Sequence, residues 1–109
     1  MFEKIWGDRK LKNILLCADG DLMVYAVPSE VADNLEKYCY EFCSEWLWKN
    51  PHAAKYRTDL GVCYNEADFI EYLNKWVFPQ KQAVFIENLG KVNDKDLPRK
   101  YKDCPSFYF

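Results

Sequence analysis

No stretch of this chain approaches the ~20 consecutive apolar residues that a membrane-spanning helix requires, so the sequence offers no candidate span. Glycine is scarce. Gly7, Gly20, Gly61 and Gly90 make up the whole complement, too scattered for a dinucleotide fingerprint or a P-loop, whose phosphate cradles need glycines a few residues apart. His52 is the single histidine, which leaves histidine-dependent acid–base or metal chemistry with one ring. There is no Cys-x-x-Cys pair and no serine in a nucleophile elbow. Internal repeats, low-complexity segments and domain linkers are also absent. The opening residues lack the apolar core of a signal peptide, and the reading places the chain in the cytoplasm.

What is present describes one folded unit. The 109 residues match the usual size of a single domain, and residues 1–109 read as one. Hydrophobic residues at 50% and charged residues at 29% are ordinary for a globular protein and argue against disorder. Aromatics are the outlier at 17%; they serve as large core pieces or as interface anchors. Charge is unevenly spread. Residues 19–45 carry seven acidic groups and one basic, against ten basic and eight acidic over 46–109. That acidic middle disfavours non-specific nucleic-acid binding through its face. Five cysteines, an odd number, point to reduced thiols rather than a disulfide framework.

The periodicity predicts an α+β fold. Phe2, Ile5 and Trp6 have the spacing of one helical turn, stopped by Gly7. Asn13–Ala18 and Leu22–Val27 flank Asp19-Gly20, a hairpin signal. With Asp19 and Gly20 as the loop, Cys17 faces Leu22, Leu16 faces Met23 and Ile14 faces Tyr25. Both faces are then largely apolar, so the hairpin is expected at the centre of its sheet or covered on both sides. After Pro28, with Ser29 as N-cap, an apolar stripe of Val31, Leu35, Tyr38, Cys39, Phe42, Trp46 and Leu47 predicts one long helix ending at Asn50-Pro51. Asp33 and Lys37 are an expected ion pair on it.

Residues 52–64 read as a helical turn followed by a short strand or ordered loop. Asn65 caps a second helix, with Phe69, Ile70, Leu73, Trp76 and Val77 as its apolar face, Glu71–Lys75 as an ion pair and Pro79 as its stop. Ala83–Ile86 reads as a short buried strand, 91–106 as a surface connection, and Phe107–Phe109 as an edge strand. The sum is a small antiparallel sheet, the N-terminal hairpin plus one or two late strands, with two main helices on one face.

Several constellations invite chemistry. Cys39 and Cys43, four apart on the long helix, could join His52 and Cys63 around zinc, but packing as small apolar residues explains them. A Cys–His dyad needs a polarised thiol, and every cysteine here lies in an apolar context. Asp19 and Asp21 fall short of a calcium loop and are explained by the turn. No metal or cofactor is expected. Arg9, Lys10 and Lys12, with Arg99, Lys100 and Lys102 beside Tyr101, could form a nucleic-acid patch if the ends of the chain meet; two solvated flanks are the plainer reading.

Trp48 stands out. It lies two residues from Trp46, roughly 200° around a helix, so the two cannot enter the same core. Either a neighbouring segment such as 51–64 covers Trp48, or it is exposed. The expectation is a non-enzymatic module that docks on another protein or on itself through Trp48, Tyr40 and Tyr56, with the acidic surface selecting the partner's charge. A phage- or mobile-element regulator, or an immunity protein for a toxin, fits that size and composition. The alternatives are an enzyme or ligand pocket between sheet and helices, and, more weakly, nucleic-acid binding through the basic clusters.

Overall fold

A computed structural model describes residues 11–109. The helical turn expected at Phe2–Trp6 lies outside them. β1 (Leu11–Cys17) and β2 (Leu22–Pro28) form the hairpin in the expected register, with Cys17 opposite Leu22, Leu16 opposite Met23 and Ile14 opposite Tyr25. Within the connection between them only Gly20 takes a positive φ, at 101°. The connection therefore relies on one glycine, where a primed type I turn would need two such positions.

Pro28 precedes α1 (Ser29–Asp33). Ser29, the expected N-cap, is instead the first helical residue and makes no capping bond. The long helix is interrupted at Asn34, whose backbone leaves the helical region and whose side-chain amide donates to the Glu30 carbonyl at 3.1 Å. Side-chain competition for backbone groups is the usual reason Asn disfavours helix interiors. The break also separates Asp33 from Lys37, and Asp33 pairs with Lys12 instead, at 2.8 Å.

Beyond the break, α2 (Leu35–Tyr40) continues through a π-helical stretch, Glu41–Trp46, into α3 (Leu47–Lys49). Asn50 then turns extended ahead of Pro51 and a 3₁₀ segment, Pro51–Tyr56. The guanidinium of Arg57 donates to the carbonyls of Leu47 and Asn50, at 2.8 and 3.1 Å, supplying partners that helix C-termini otherwise lack. β3 (Arg57–Thr58) and β4 (Gly61–Val62) make a two-rung ladder, with Asp59 and Leu60 as its turn.

α4 (Glu66–Tyr72) opens on a complete capping box. Asn65 accepts from the Asp68 amide, and Asp68 accepts from the Asn65 amide, at 3.1 and 2.9 Å. A second π-helical stretch, Leu73–Val77, ends it before Pro79. The expected Glu71–Lys75 pair is formed at 3.0 Å.

The chain finishes with β5 (Val84–Gly90) and β6 (Ser106–Tyr108), and the four-stranded sheet has the order β5-β2-β1-β6. The hairpin is thus central, and the C-terminal aromatics return as an edge strand. β2 pairs antiparallel with β5, while β1 pairs parallel with β6. That parallel pairing follows from direction. β5 and β6 point the same way, so residues 91–105 must travel back along the sheet between them.

They do so across the face that the helices leave free. Leu15, Leu22, Val24 and Tyr101 form a second buried cluster there, joined by Val92, Leu97 and Cys104. The surface connection is in fact the sheet's second cover. Tyr101 donates a hydrogen bond to Glu87, which ties this segment to β5.

On the first face, Ile14, Leu16, Tyr25 and Val27 meet the helical stripe, and Phe42, Leu47, Phe69 and Leu73 are fully buried. Each such side chain contributes on the order of 1.5–3 kcal/mol of burial. Ala83–Ile86 departs from expectation. Ala83 is buried, but Val84, Phe85 and Ile86 are exposed, Phe85 at 56%, because β5 is an edge strand. Among the described residues, no helix is long and apolar enough to cross a membrane.

Candidate functional site

The helical layer carries aromatic side chains on two flanks. Trp46 points inward onto Phe42 and Tyr72, and Trp48 points away from them, 52% exposed. The segment after Pro51 gives Trp48 partial cover. A Cβ built on Gly61 would lie 3.9 Å from Trp48 Cη2, so the indole edge lies against the β4 backbone. Next to Gly61 is Leu60, at the tip of the β3–β4 turn and 100% exposed. Its turn is closed by Thr58, whose hydroxyl donates to the Gly61 carbonyl and accepts from the Leu60 amide.

Tyr40 is 51% exposed and meets Phe107 edge-on at 5.4 Å. Residues eight apart sit roughly 80° from each other on an α-helix. The wider π-helical winding between Tyr40 and Trp48 brings them closer to one line. Tyr56 does not share this surface. It lies on the other flank, 6.3 Å from Trp46, with the Lys55 ammonium 5.1 Å from its ring centre.

That other flank is a cleft of about 200 Å³. Its rings are Trp46, Tyr56, Tyr72, Trp76 and His52; its charges are Glu71, Lys55 and Lys75. Three segments converge to build it: the π-helical stretch before α3, the 3₁₀ segment, and α4 with its extension. Trp46 lies 5.0 Å from Tyr72 and 6.3 Å from Trp76, with the rings tilted. His52 stacks on Trp76 at 4.4 Å and 27°. Glu71 accepts from Lys75 at 3.0 Å and lies 3.8 Å from Lys55. The Lys75 hydrogen bond holds the Glu71 carboxyl below its ordinary pKa. Beyond the Trp46–Tyr72 wall is a shallower groove edged by Glu41, Glu45 and Lys49.

The remaining candidates stay apart. Burial, with Cys43 alongside, pushes the Cys39 thiol well above the usual range, and burial with Asp103 raises Cys104. Such thiols are poor nucleophiles at neutral pH. All five cysteines are free. Among the described residues, no three His, Cys, Asp or Glu side chains converge as metal ligands. Asp21 accepts from the Asn88 side-chain amide at 3.2 Å, a bond within the fold. Arg9 and Lys10 of the two-ended basic patch lie outside the described residues.

Burial followed by the nearby Cys43 pushes the Tyr64 phenol up to about 12. Burial, then Glu41, raises Tyr72. Both remain protonated and uncharged near neutrality.

Two features escaped the sequence reading. Leu60 occupies a turn where polar residues are usual, and an apolar residue at a hairpin tip was a usable signal. The cleft had none, because on a regular α-helix Trp76 stands roughly 140° from Glu71, and the helix here is π-helical over Leu73–Val77. Comparison with protein-family models, with curated proteins and with solved structures finds no match for this chain.

Proposed function

We propose that this protein is a non-enzymatic docking module that binds a protein partner through Trp48, Leu60 and Tyr40. The observation that carries this reading is the Trp48–Leu60 pair. A half-exposed indole and a fully exposed leucine flank the same glycine. Large rings beside aliphatic side chains form the kind of exposed apolar patch in which interface hot spots occur. Tyr56, grouped with these residues on sequence grounds, is left out of the docking surface because it lines the opposite cleft. Five free thiols suit a reducing compartment, consistent with action in the cytoplasm.

The test is site-specific photo-crosslinking in the native host, with the photoreactive residue at position 60 and, as control, at exposed Gln80. Position 60 should capture one discrete protein that position 80 does not. With purified partner, Trp48→Ala should weaken binding by about 30-fold or more, the size of a ~2 kcal/mol hot spot, while its circular dichroism stays that of the wild type. Equal capture at both positions, or unchanged affinity of Trp48→Ala, would overturn the reading.

A further inference from the structure

We propose that the outer edge of β6 is a strand-addition site, where a partner protein lays an extended segment along Ser106–Tyr108 as a fifth strand of the sheet. This rests on the docking reading for the existence of a partner, and it adds how that partner is held.

Backbone direction selects the kind of occupant. The Leu15 amide donates to the Pro105 carbonyl at 2.9 Å, and the Phe109 amide donates to the Cys17 carbonyl at 2.8 Å. Pro105 and Phe109 thus turn backbone groups toward β1. The alternation of a strand turns those of Ser106 and Tyr108 the other way, off the sheet. Their amides and carbonyls stand in a row, and among the described residues no hydrogen bond from another element takes them. Only another extended backbone matches such a row, and this is how edge strands recruit strands from other chains. Of the two edges, β6 is the one fit for this. β5 loses register against β2 between Leu22 and Met23 and again between Val24 and Tyr25. Bulges of that kind bend an edge strand away from further pairing. The β1–β6 register runs uninterrupted from Leu15–Ser106 to Cys17–Tyr108.

Both faces beside this edge offer exposed ring surface. Phe107 lies on the helical face with its register partner Leu16, and Tyr40 stands edge-on against it, half exposed. On the other face Tyr108 is 58% exposed. It borders a cavity of about 350 Å³ whose wall includes Leu97, Lys102 and Ser106. An added strand alternates its side chains between these faces, so one of them rests on Tyr40 and the next has room beside Tyr108. The short row of backbone groups sets direction and register, and the two tyrosines supply contact area. Tyr40 also belongs to the surface of Trp48 and Leu60, which makes the edge continuous with the docking surface.

The experiment places the photoreactive residue at position 108 in the native host, beside the one at position 60. Both should capture the same protein, and position 85 on the opposite edge should not. In complex with that purified protein, the amides of Ser106 and Tyr108 should exchange with deuterium at least tenfold more slowly than in the free chain, with β5 unchanged. A full-length chain ligated at Cys104, with the Tyr108 amide N-methylated, loses one outward donor and no side chain; it should bind at least tenfold more weakly. Ser106→Pro removes the other outward donor at an edge position that tolerates proline, and should weaken binding likewise. Circular dichroism of both should match the wild type. Unchanged exchange at Ser106 and Tyr108, or wild-type affinity of the N-methylated chain, overturns strand addition; the docking surface still stands if Trp48→Ala weakens binding. Capture at 108 with slowed exchange, but none at 60, keeps strand addition and removes Leu60 from the docking surface. No capture at 108, or capture of a second copy of this chain, overturns the proposal.

Discussion

Phe42 is the keystone of the helical layer, and replacing it is the sharpest test of the packing. Its ring is fully buried. It meets Trp46 at 6.0 Å, Tyr64 at 5.4 Å, Phe69 at 5.5 Å, Tyr72 at 5.1 Å and Phe109 at 6.2 Å between centroids. Those five rings come from the π-helical stretch, the loop before α4, α4 itself and the residue after β6. A Phe→Ala change in a core costs about 3–5 kcal/mol through lost burial and a residual cavity. Aromatic pairs add ~0.5–1.5 kcal/mol each, but not independently.

Because the neighbours are themselves rigid rings anchored on four segments, collapse into the cavity is limited. The upper part of that range, about 4–5 kcal/mol, is therefore expected for Phe42→Ala. With a urea m-value of ~1.5–2 kcal/mol/M for a chain of this size, the midpoint falls by about 2–3 M. A domain with total stability in the usual ~5–15 kcal/mol range is left marginal. Phe42→Leu, which keeps much of the volume and loses the ring contacts, should cost about 1–2 kcal/mol. Urea unfolding followed in parallel by far-ultraviolet circular dichroism and tryptophan fluorescence gives both values, with m unchanged if the native packing is otherwise kept. A loss below ~1 kcal/mol for Phe42→Ala, closer to an ordinary surface substitution, would show that these rings do not close one core.

Asn65→Ala removes one half of the capping box and should destabilise by about 1 kcal/mol, read as a lower urea midpoint. Asn65→Asp keeps an acceptor for the Asp68 amide but sets a second carboxylate beside that of Asp68, so its midpoint should fall between those of the wild type and Asn65→Ala. Alkaline pH should also destabilise. The phenols of Tyr25, Tyr64 and Tyr72 have raised pKa values in the fold, chiefly through burial. The folded chain therefore keeps protons that the unfolded chain releases. These phenols leave stability unchanged below the ordinary tyrosine value of 10.0, and they lower it as pH rises from there toward about 12, where Tyr64 ionises in the fold. Urea midpoints across that window should fall less steeply for Tyr64→Phe than for the wild type, and parallel slopes would refute the assignment.

The hairpin register was legible because Asp19-Gly20 pins the turn and a one-residue slip would reverse every side chain. The Asn65 cap and the Glu71–Lys75 pair were legible because both are local, decided within three or four residues. The helix break at Asn34 was not. It depends on one side chain's choice between solvent and the Glu30 carbonyl, which helical periodicity does not register. The exposure of Phe85 and Ile86 depends on which strand ends at the edge, a property of sheet order. Tyr101 and Leu97 sit in a charged, proline-containing stretch that reads as loop, and only the return path from β5 to β6 turns it into a cover. For the site, the opposite orientations of Trp46 and Trp48 followed from two-residue spacing. The cleft did not, because Trp46, Tyr56 and Trp76 belong to three segments whose meeting is set by the packing around Phe42.

The parallel pairing of β1 with β6 has a consequence for how the chain is made. Leu15 and Ser106 are register partners, so an inner strand waits roughly 90 residues for its neighbour, on the order of 5–20 s at common synthesis rates. Throughout that interval the outer edge of Leu15–Cys17 is an open row of amides and carbonyls beside apolar side chains. Nascent chains of this protein should be most vulnerable to strand-to-strand aggregation, and most dependent on chaperones, just before the final aromatics arrive.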